Sequence, residues 1–200
     1  MSLIGKNVKN IANFTCDAYQ KTSSDSSQEN IIKINLASYL EKSKWVVLLF
    51  YPADFTFICP TELREASNLY KNFKENDAEI LSISTDTVFT HKAWHDSSDA
   101  ISGITFPMIA DPTGALCKAF DTYIDEEGLS LRSSVIIDPD GKIVSYEIHD
   151  NSIGRNVEEI LRKLQASKFV YDNDGVEVCP VNWKPGGKTL KPGLDLVGKI

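Results

Sequence analysis

No Cys-x-x-Cys pair occurs in this chain: Cys16, Cys59, Cys117 and Cys179 lie far apart, which removes the spacing of a zinc ribbon or a dithiol redox motif. The three histidines, His91, His95 and His149, do not stand at metal-ligand spacing from them, so neither a metal nor a cofactor is expected. A long apolar run is also missing. Nothing approaches the ~18 residues that span a bilayer, and residues 1–10 have neither the apolar stretch nor the small-residue cleavage site of a secretory signal. A cytoplasmic protein is the default expectation, in which Asn13-Phe14-Thr15 is not read as a glycosylation site. In a reducing compartment each cysteine needs a role other than a structural cross-link. Positive charge is in short supply, 21 Lys and Arg against 28 Asp and Glu for a net −7. Nucleic acid and anionic membrane are therefore not expected partners, and a small or neutral substrate is favoured.

Internal repeats and separating linkers are absent too, while 200 residues at 42% hydrophobic content can bury one full core. The expected division is a main domain over 1–170 and a tail over 171–200, where Gly, Pro and Lys interrupt any period. Residues 45–51 form an almost unbroken apolar and β-branched run, and 79–84 a second; both read as buried strands. Between them, 61–75 places Leu63, Ala66, Leu69, Tyr70 and Phe73 at helical spacing. Strand, helix and strand in succession predict a βαβ unit with a parallel pair, hence an α/β class. A helix over 88–101, a strand over 106–110, a turn at Asp111-Pro112-Thr113-Gly114 and a short helix to 120 follow. Runs 133–137 and 142–148, joined by Asp138-Pro139-Asp140-Gly141, predict a hairpin, and 157–169 a last helix. Residues 20–30 are polar and predict an exposed loop between two edge strands.

Cys59 falls after a strand and loop, directly before a helix opened by Pro60, where a missing N–H costs nothing. The thiol is therefore expected over the free N–H groups of that helix end. A free cysteine titrates near ~8.5, while the thiolate is the nucleophile. A helix N-terminus stabilises an anion by at most ~2 kcal/mol, which reaches only about neutrality, so a cation must help. Arginine suits, being always charged and forked. Thr56 is close enough in a tight loop to set its hydroxyl beside the sulfur, where it can accept from backbone and donate to a developing oxyanion. Pro52 offers an apolar wall. Taken alone, a buried structural thiol would explain such a cysteine more simply.

The surrounding segment changes that balance. Phe50-Tyr51-Pro52-Ala53-Asp54-Phe55-Thr56-Phe57-Ile58-Cys59-Pro60 resembles the active-site pattern Pro-x-x-x-Thr-x-x-Cys of the typical two-cysteine peroxiredoxins. Ser84-Thr85-Asp86-Thr87, His91-Lys92-Ala93-Trp94-His95, Asp111-Pro112-Thr113-Gly114-Ala115, Ile153-Gly154-Arg155 and the tail from Leu194 to Ile200 resemble the bacterial branch of that family, alkyl hydroperoxide reductase C. The resemblance implies a thioredoxin-like fold, a central mixed sheet flanked by helices, with an extended C-terminal tail. It implies a thiol peroxidase for hydrogen peroxide and organic hydroperoxides, serving antioxidant defence. Cys59 would be the peroxidatic cysteine, Pro52 and Thr56 its pocket partners, Arg132 the cation on thiolate and peroxide, and Glu62 and Arg155 a supporting network. Cys179 would be the resolving cysteine, supplied by the partner chain of a homodimer that assembles into a decamer. The reductant would be a flavoprotein disulfide reductase or thioredoxin. Trp94 resembles a family aromatic packed near the site.

A cysteine hydrolase would instead need one of the three histidines beside Cys59, and a holding chaperone or redox relay is the nonenzymatic alternative. Cys16 and Cys117 match no catalytic position. Sensitive eukaryotic relatives carry a Gly-Gly-Leu-Gly insert and a C-terminal Tyr-Phe helix; around Glu127-Gly128-Leu129 and at Lys199-Ile200 this chain has neither. Fast unwinding and resistance to over-oxidation follow: after excess peroxide, mass spectrometry is expected to find Cys59 mainly in disulfide, and a majority of sulfinic acid contradicts this.

Overall fold

The computed structural model of the protein describes residues 2–10, 13, 15–21 and 30–199. In chain order the strands and α-helices are β1 (Thr15–Tyr19), β2 (Ile31–Asn35), α1 (Leu36–Leu40), β3 (Trp45–Phe50), α2 (Cys59–Glu75), β4 (Ala78–Ser84), α3 (Val88–Ser97), β5 (Met108–Ala110), α4 (Ala115–Ala119), β6 (Tyr123–Ile124), β7 (Leu129–Ser130), β8 (Arg132–Ile137), β9 (Ile143–His149) and α5 (Val157–Asp172). Seven strands make one sheet in the order β2-β1-β5-β4-β3-β8-β9, and β6 and β7 pair separately. The β3/β4 and β4/β5 pairs are parallel and the others antiparallel. This is the central mixed sheet of a thioredoxin-like fold, and the expected βαβ unit is β3-α2-β4.

The apolar run of β3 has a direct cause: every one of its residues is buried, because helices cover both faces of the sheet. Successive side chains point to opposite faces, so Val47, Leu49 and Tyr51 join Leu63, Ala66 and Phe73 of α2 and Ile160 and Leu164 of α5. Val46, Leu48 and Phe50 join Leu36 and Leu40 of α1 and Leu116 of α4. Burying each Val, Leu, Ile or Phe among them contributes about 1.5–3 kcal/mol. That rigid double layer fixes where β3 ends, and β3 ends at the site described below.

Several boundaries differ from the sequence reading. The helix expected to 101 stops at Ser97, because Ser98 turns extended (φ −116°, ψ 118°). The strand expected from 106 begins at Met108, after Pro107, which has no N–H to give a ladder and accepts from Ser82 N–H through its carbonyl at 3.1 Å. Of the loop expected over 20–30, residues 22–29 lie outside the described residues. Only one of its flanking strands is an edge: β2 is outermost, whereas β1 is covered by β5 through the pairs Ala18↔Ile109 and Tyr19↔Met108. The 111–114 turn is present, with Gly114 at φ 67°, and a Cβ there would stand 2.5 Å from the Tyr123 ring. The β8-β9 hairpin closes as expected, with Asp138 Oδ1 accepting from the N–H groups of Asp140 (3.0 Å) and Lys142 (2.8 Å). The tail after α5 docks: Val178 and Leu190 exchange backbone hydrogen bonds of 2.8 and 3.0 Å, and Trp183 is buried against Phe169. No described helix is long and apolar enough to cross a membrane.

Candidate active site

At the end of β3 the chain passes Tyr51 and Pro52, both buried, and enters a loop sharp enough to put Phe55 at φ 55°, a left-handed conformation rare for a bulky residue. The loop delivers Cys59 as the first residue of α2, with Pro60 directly after it; the sequence reading set the cysteine one residue before the helix. Cys59 is fully buried.

The sulfur is not held by helix N–H groups. Those of Thr61 and Glu62 go to the Ile58 carbonyl at 3.0 and 3.3 Å, Pro60 has none, and the Thr61 hydroxyl also donates to Ile58. The donor at the sulfur is Arg132, whose Nη1 lies 3.1 Å from Cys59 Sγ. Arg132 opens β8, one residue beyond the Phe50↔Ser133 pair, so the sheet itself carries it to the end of β3. Its Nε donates to the Asn151 carbonyl at 2.9 Å.

Glu62, one helical turn after Cys59, completes the cluster. Its Oε2 accepts from Arg132 Nη1 and Arg155 Nη2, each at 2.9 Å, and its Oε1 accepts from Arg155 N–H (2.7 Å) and Nε (2.9 Å). Arg155 Nη1 continues to the Ser133 carbonyl at 2.7 Å. The side chains of Arg132, Glu62 and Arg155 are 4%, 3% and 2% exposed. Burial pushes the Glu62 carboxyl up, but the charge and hydrogen bonds of Arg155, with the charge of Arg132, outweigh it and hold it below the usual range. Two buried cations share one carboxylate, so one positive charge is left over, and it faces the sulfur. An anionic sulfur brings the cluster to neutrality.

Thr56 sits in the same loop, but its Oγ1 gives its proton to the Ala53 carbonyl at 2.8 Å. Its lone pairs, not its proton, are therefore free, the reverse of the donor role read from sequence. Trp94 is buried beside Tyr51 and Phe55, with ring centroids 6.2 and 6.1 Å away.

A second buried network braces this loop, and the sequence reading missed it. Asp54 Oδ1 accepts from Tyr51 OH at 2.8 Å, Oδ2 pairs with His91 Nδ1 at 2.7 Å, and its N–H donates to Asp86 Oδ2 at 2.8 Å. His91 Nε2 reaches the Ile109 carbonyl at 3.1 Å, and Ser84 Oγ donates to Asp86 at 2.7 Å. Burial pushes the Asp54 carboxyl up, partly offset by the His91 hydrogen bond.

The histidines are occupied elsewhere, which removes the arrangement a cysteine hydrolase requires. His91 serves Asp54, His95 meets Tyr19 OH and the Ile104 carbonyl, and His149 Nε2 meets Glu147. Among the described residues no cluster of His, Cys, Asp and Glu could hold a metal ion. Burial, reinforced by Asp111, pushes the thiols of Cys16 and Cys117 up to about 11 and about 12.

Cys179 lies at the other end of the molecule. Its Sγ faces the Ala166 carbonyl of α5 at 3.8 Å, and it lines a cavity of about 730 Å³ with Trp45, Asp138, Asp140 and Tyr171. Trp45 opens β3 and Cys59 follows its far end, so the length of β3, roughly 16 Å at ~3.3 Å per residue, separates the two ends. A disulfide needs Cα atoms within ~7 Å, and burial pushes the Cys179 thiol up, with Arg162 lowering it in part.

Replacing Glu62 by Gln strips the shared carboxylate from two buried arginines and is expected to cost about 3–5 kcal/mol at pH 7. Because the folded carboxyl titrates below its ordinary 4.5, this contribution is full above that pH and is lost as pH falls through the folded value. Urea unfolding of both proteins at pH 7 and pH 3 checks this; an equal gap at both overturns it.

The sequence pattern of the AhpC/TSA family matches residues 10–146, and that of the C-terminal domain of 1-Cys peroxiredoxin matches residues 169–197. The chain is 52% identical over 159 residues to alkyl hydroperoxide reductase C of Pseudomonas aeruginosa, covering 80% of this chain and 84% of that one. It is 44% identical over 200 residues to alkyl hydroperoxide reductase C of Staphylococcus aureus, covering all of both. Among solved structures it superposes on Enterococcus faecalis AhpC with a TM-score of 0.81 at 40% identity, over 90% of this chain and 100% of that one. On a reduced 2-Cys peroxiredoxin of Plasmodium vivax the TM-score is 0.86 at 32% identity, over 98% and 96%.

Proposed function

The chain belongs to the AhpC/TSA family and is a thiol peroxidase, and on that premise we propose that its cycle runs through Cys59 and Cys179. The observation that carries this reading is Arg132 Nη1 at 3.1 Å from Cys59 Sγ, inside a buried cluster with one positive charge to spare. In the first step the Cys59 thiolate attacks one peroxide oxygen and the O–O bond breaks. The departing oxygen takes a proton and leaves as water or an alcohol, and Cys59 becomes a sulfenic acid. Arg132 stabilises the thiolate and then the charge developing on the peroxide oxygens, with Pro52 and Thr56 shaping the pocket and Glu62 and Arg155 fixing the guanidinium. In the second step Cys179 attacks the Cys59 sulfur, a disulfide forms and water is released.

The separation of the two cysteines in one chain supports a resolving cysteine supplied by a partner chain, with residues 171–200 as the segment that carries it. Cys59 is fully buried, so the first turn of α2 unwinds to meet it. Phe55 and Phe57 on the Cys59 loop and Phe89 on α3 are exposed large apolar side chains, which favours further burial between dimers, up to the decamer the resemblance implies. A dithiol reductant, a flavoprotein disulfide reductase or thioredoxin, returns the disulfide to two thiols in the cytoplasm, and the cycle serves antioxidant defence.

A nonreducing gel after one equivalent of peroxide is expected to show a reducible dimer that is lost in both Cys59→Ser and Cys179→Ser; persistent monomer in the unsubstituted protein overturns the two-chain cycle. Arg132→Met is expected to slow peroxide consumption by about 10²–10³-fold, measured as the second-order rate of the reduced enzyme, and an unchanged rate removes Arg132 from the reaction.

A further inference from the structure

The segment carrying Cys179 is tied down by an arginine with no part in the Cys59 cluster. Residues 180–183 close a turn, the Trp183 N–H meeting the Pro180 carbonyl at 3.2 Å, and the Trp183 ring packs on Phe169 of α5 with centroids 5.2 Å apart. Arg162, also on α5, donates from Nη1 to the Trp183 carbonyl at 2.9 Å. Its Nε and Nη2 close on the two carboxylate oxygens of Glu159 at 2.6 and 2.9 Å. This forked pairing fixes the guanidinium plane and leaves Nη1 aimed at the carbonyl. Before Cys179 the tail is bonded to α5 by the Gly175 N–H to the Val170 carbonyl at 2.9 Å, and within itself by contacts such as Trp183 Nε1 to the Gly187 carbonyl and Thr189 to Glu177. With the turn docked, the Cys179 sulfur is held against the Ala166 carbonyl of α5 at 3.8 Å, half-buried on the cavity that it lines.

We infer that the Glu159–Arg162 pair is a latch that holds the Cys179 segment on its own helix and sets how fast Cys179 is released to attack the Cys59 sulfenic acid. Arg162 is thus a positioning residue for the second step and touches neither reacting sulfur. The inference rests on the reading of Cys179 as the resolving cysteine. Arg162 also lowers the Cys179 thiol against the push of burial, an influence of opposite sign on the rate: losing the latch speeds release, whereas losing the charge leaves less thiolate.

The reduced full-length protein is mixed with one equivalent of hydrogen peroxide, and disulfide formation is followed by tryptophan fluorescence and by quenched samples on a nonreducing gel. In Arg162→Met the peroxide-dependent phase is expected to be unchanged, which shows the fold and Cys59 intact. The disulfide phase becomes roughly tenfold faster, the equivalent of about 1.4 kcal/mol. Arg162→Lys keeps the charge but not the fork and also speeds this phase, and Glu159→Gln does so to a lesser degree. An unchanged disulfide phase in all three variants overturns the latch. So does a slower phase whose pH profile moves to higher pH, since that assigns Arg162 to thiol activation. Cys179→Ser separates the two readings: a reducible dimer that survives it defeats the assignment of Cys179, whereas its loss, beside Arg162 variants of normal rate, defeats the latch alone.

Discussion

Glu62 shares one carboxylate between two buried arginines, and most of the site depends on that sharing. Without it Arg132 and Arg155 would be two like charges in a region closed to water, where an uncompensated ion costs several kcal/mol. With it, Arg155 is locked by three donors to Glu62 and a fourth to the Ser133 carbonyl. Arg132 keeps one nitrogen between the carboxylate and the sulfur. The three residues come from α2, β8 and the loop before α5, so the ion cluster also ties together three segments distant in the chain. The hydrogen bonds that hold these segments together are the ones that aim Arg132 at the Cys59 sulfur.

The loop bearing Pro52 and Thr56 has an independent brace in Asp54, His91 and Asp86, which joins it to α3 and the end of β4. It has two consequences. The loop is anchored at Asp54, where it leaves β3 and five residues before Cys59. α3 also carries the exposed Phe89 two residues before His91, so a surface that covers Phe89 presses on a helix bonded directly to the loop of Cys59.

Much of this was legible in the sequence, for identifiable reasons. The β3-α2-β4 unit announced itself because a strand covered on both faces has no polar alternation to hide its apolar run. Motif resemblance singles out Cys59 and Arg132, which the structure brings together, and the need for a cation near Cys59 comes from the weakness of a helix end acting alone. What stayed hidden was decided by distant partners. β5 has three residues, too few for a period, and its pairing with β1 is set by tertiary packing. Asp54 and His91 are separated by 37 positions, and each alone looks like an ordinary polar residue. Thr61 and Glu62 give their N–H groups to Ile58 because the loop geometry puts that carbonyl within reach, which no spacing rule foretells. Glu62 and Arg155 would have passed for surface charges on their local pattern, since buried ions are rare unless paired.

In the proposed cycle, the leftover positive charge of the Arg132–Glu62–Arg155 cluster would make the site an electrostatic spring wound by oxidation state. As thiolate, the sulfur closes the charge count and the first turn of α2 is held shut. Conversion to the protonated sulfenic acid removes that negative charge while the arginines stay buried, so the step that makes the intermediate also weakens its enclosure at the moment it must open. A sulfinate restores the negative charge and closes the enclosure again. Over-oxidation, on this count, is a return to the clamped state by another anion, and only the neutral oxidation level favours an open door.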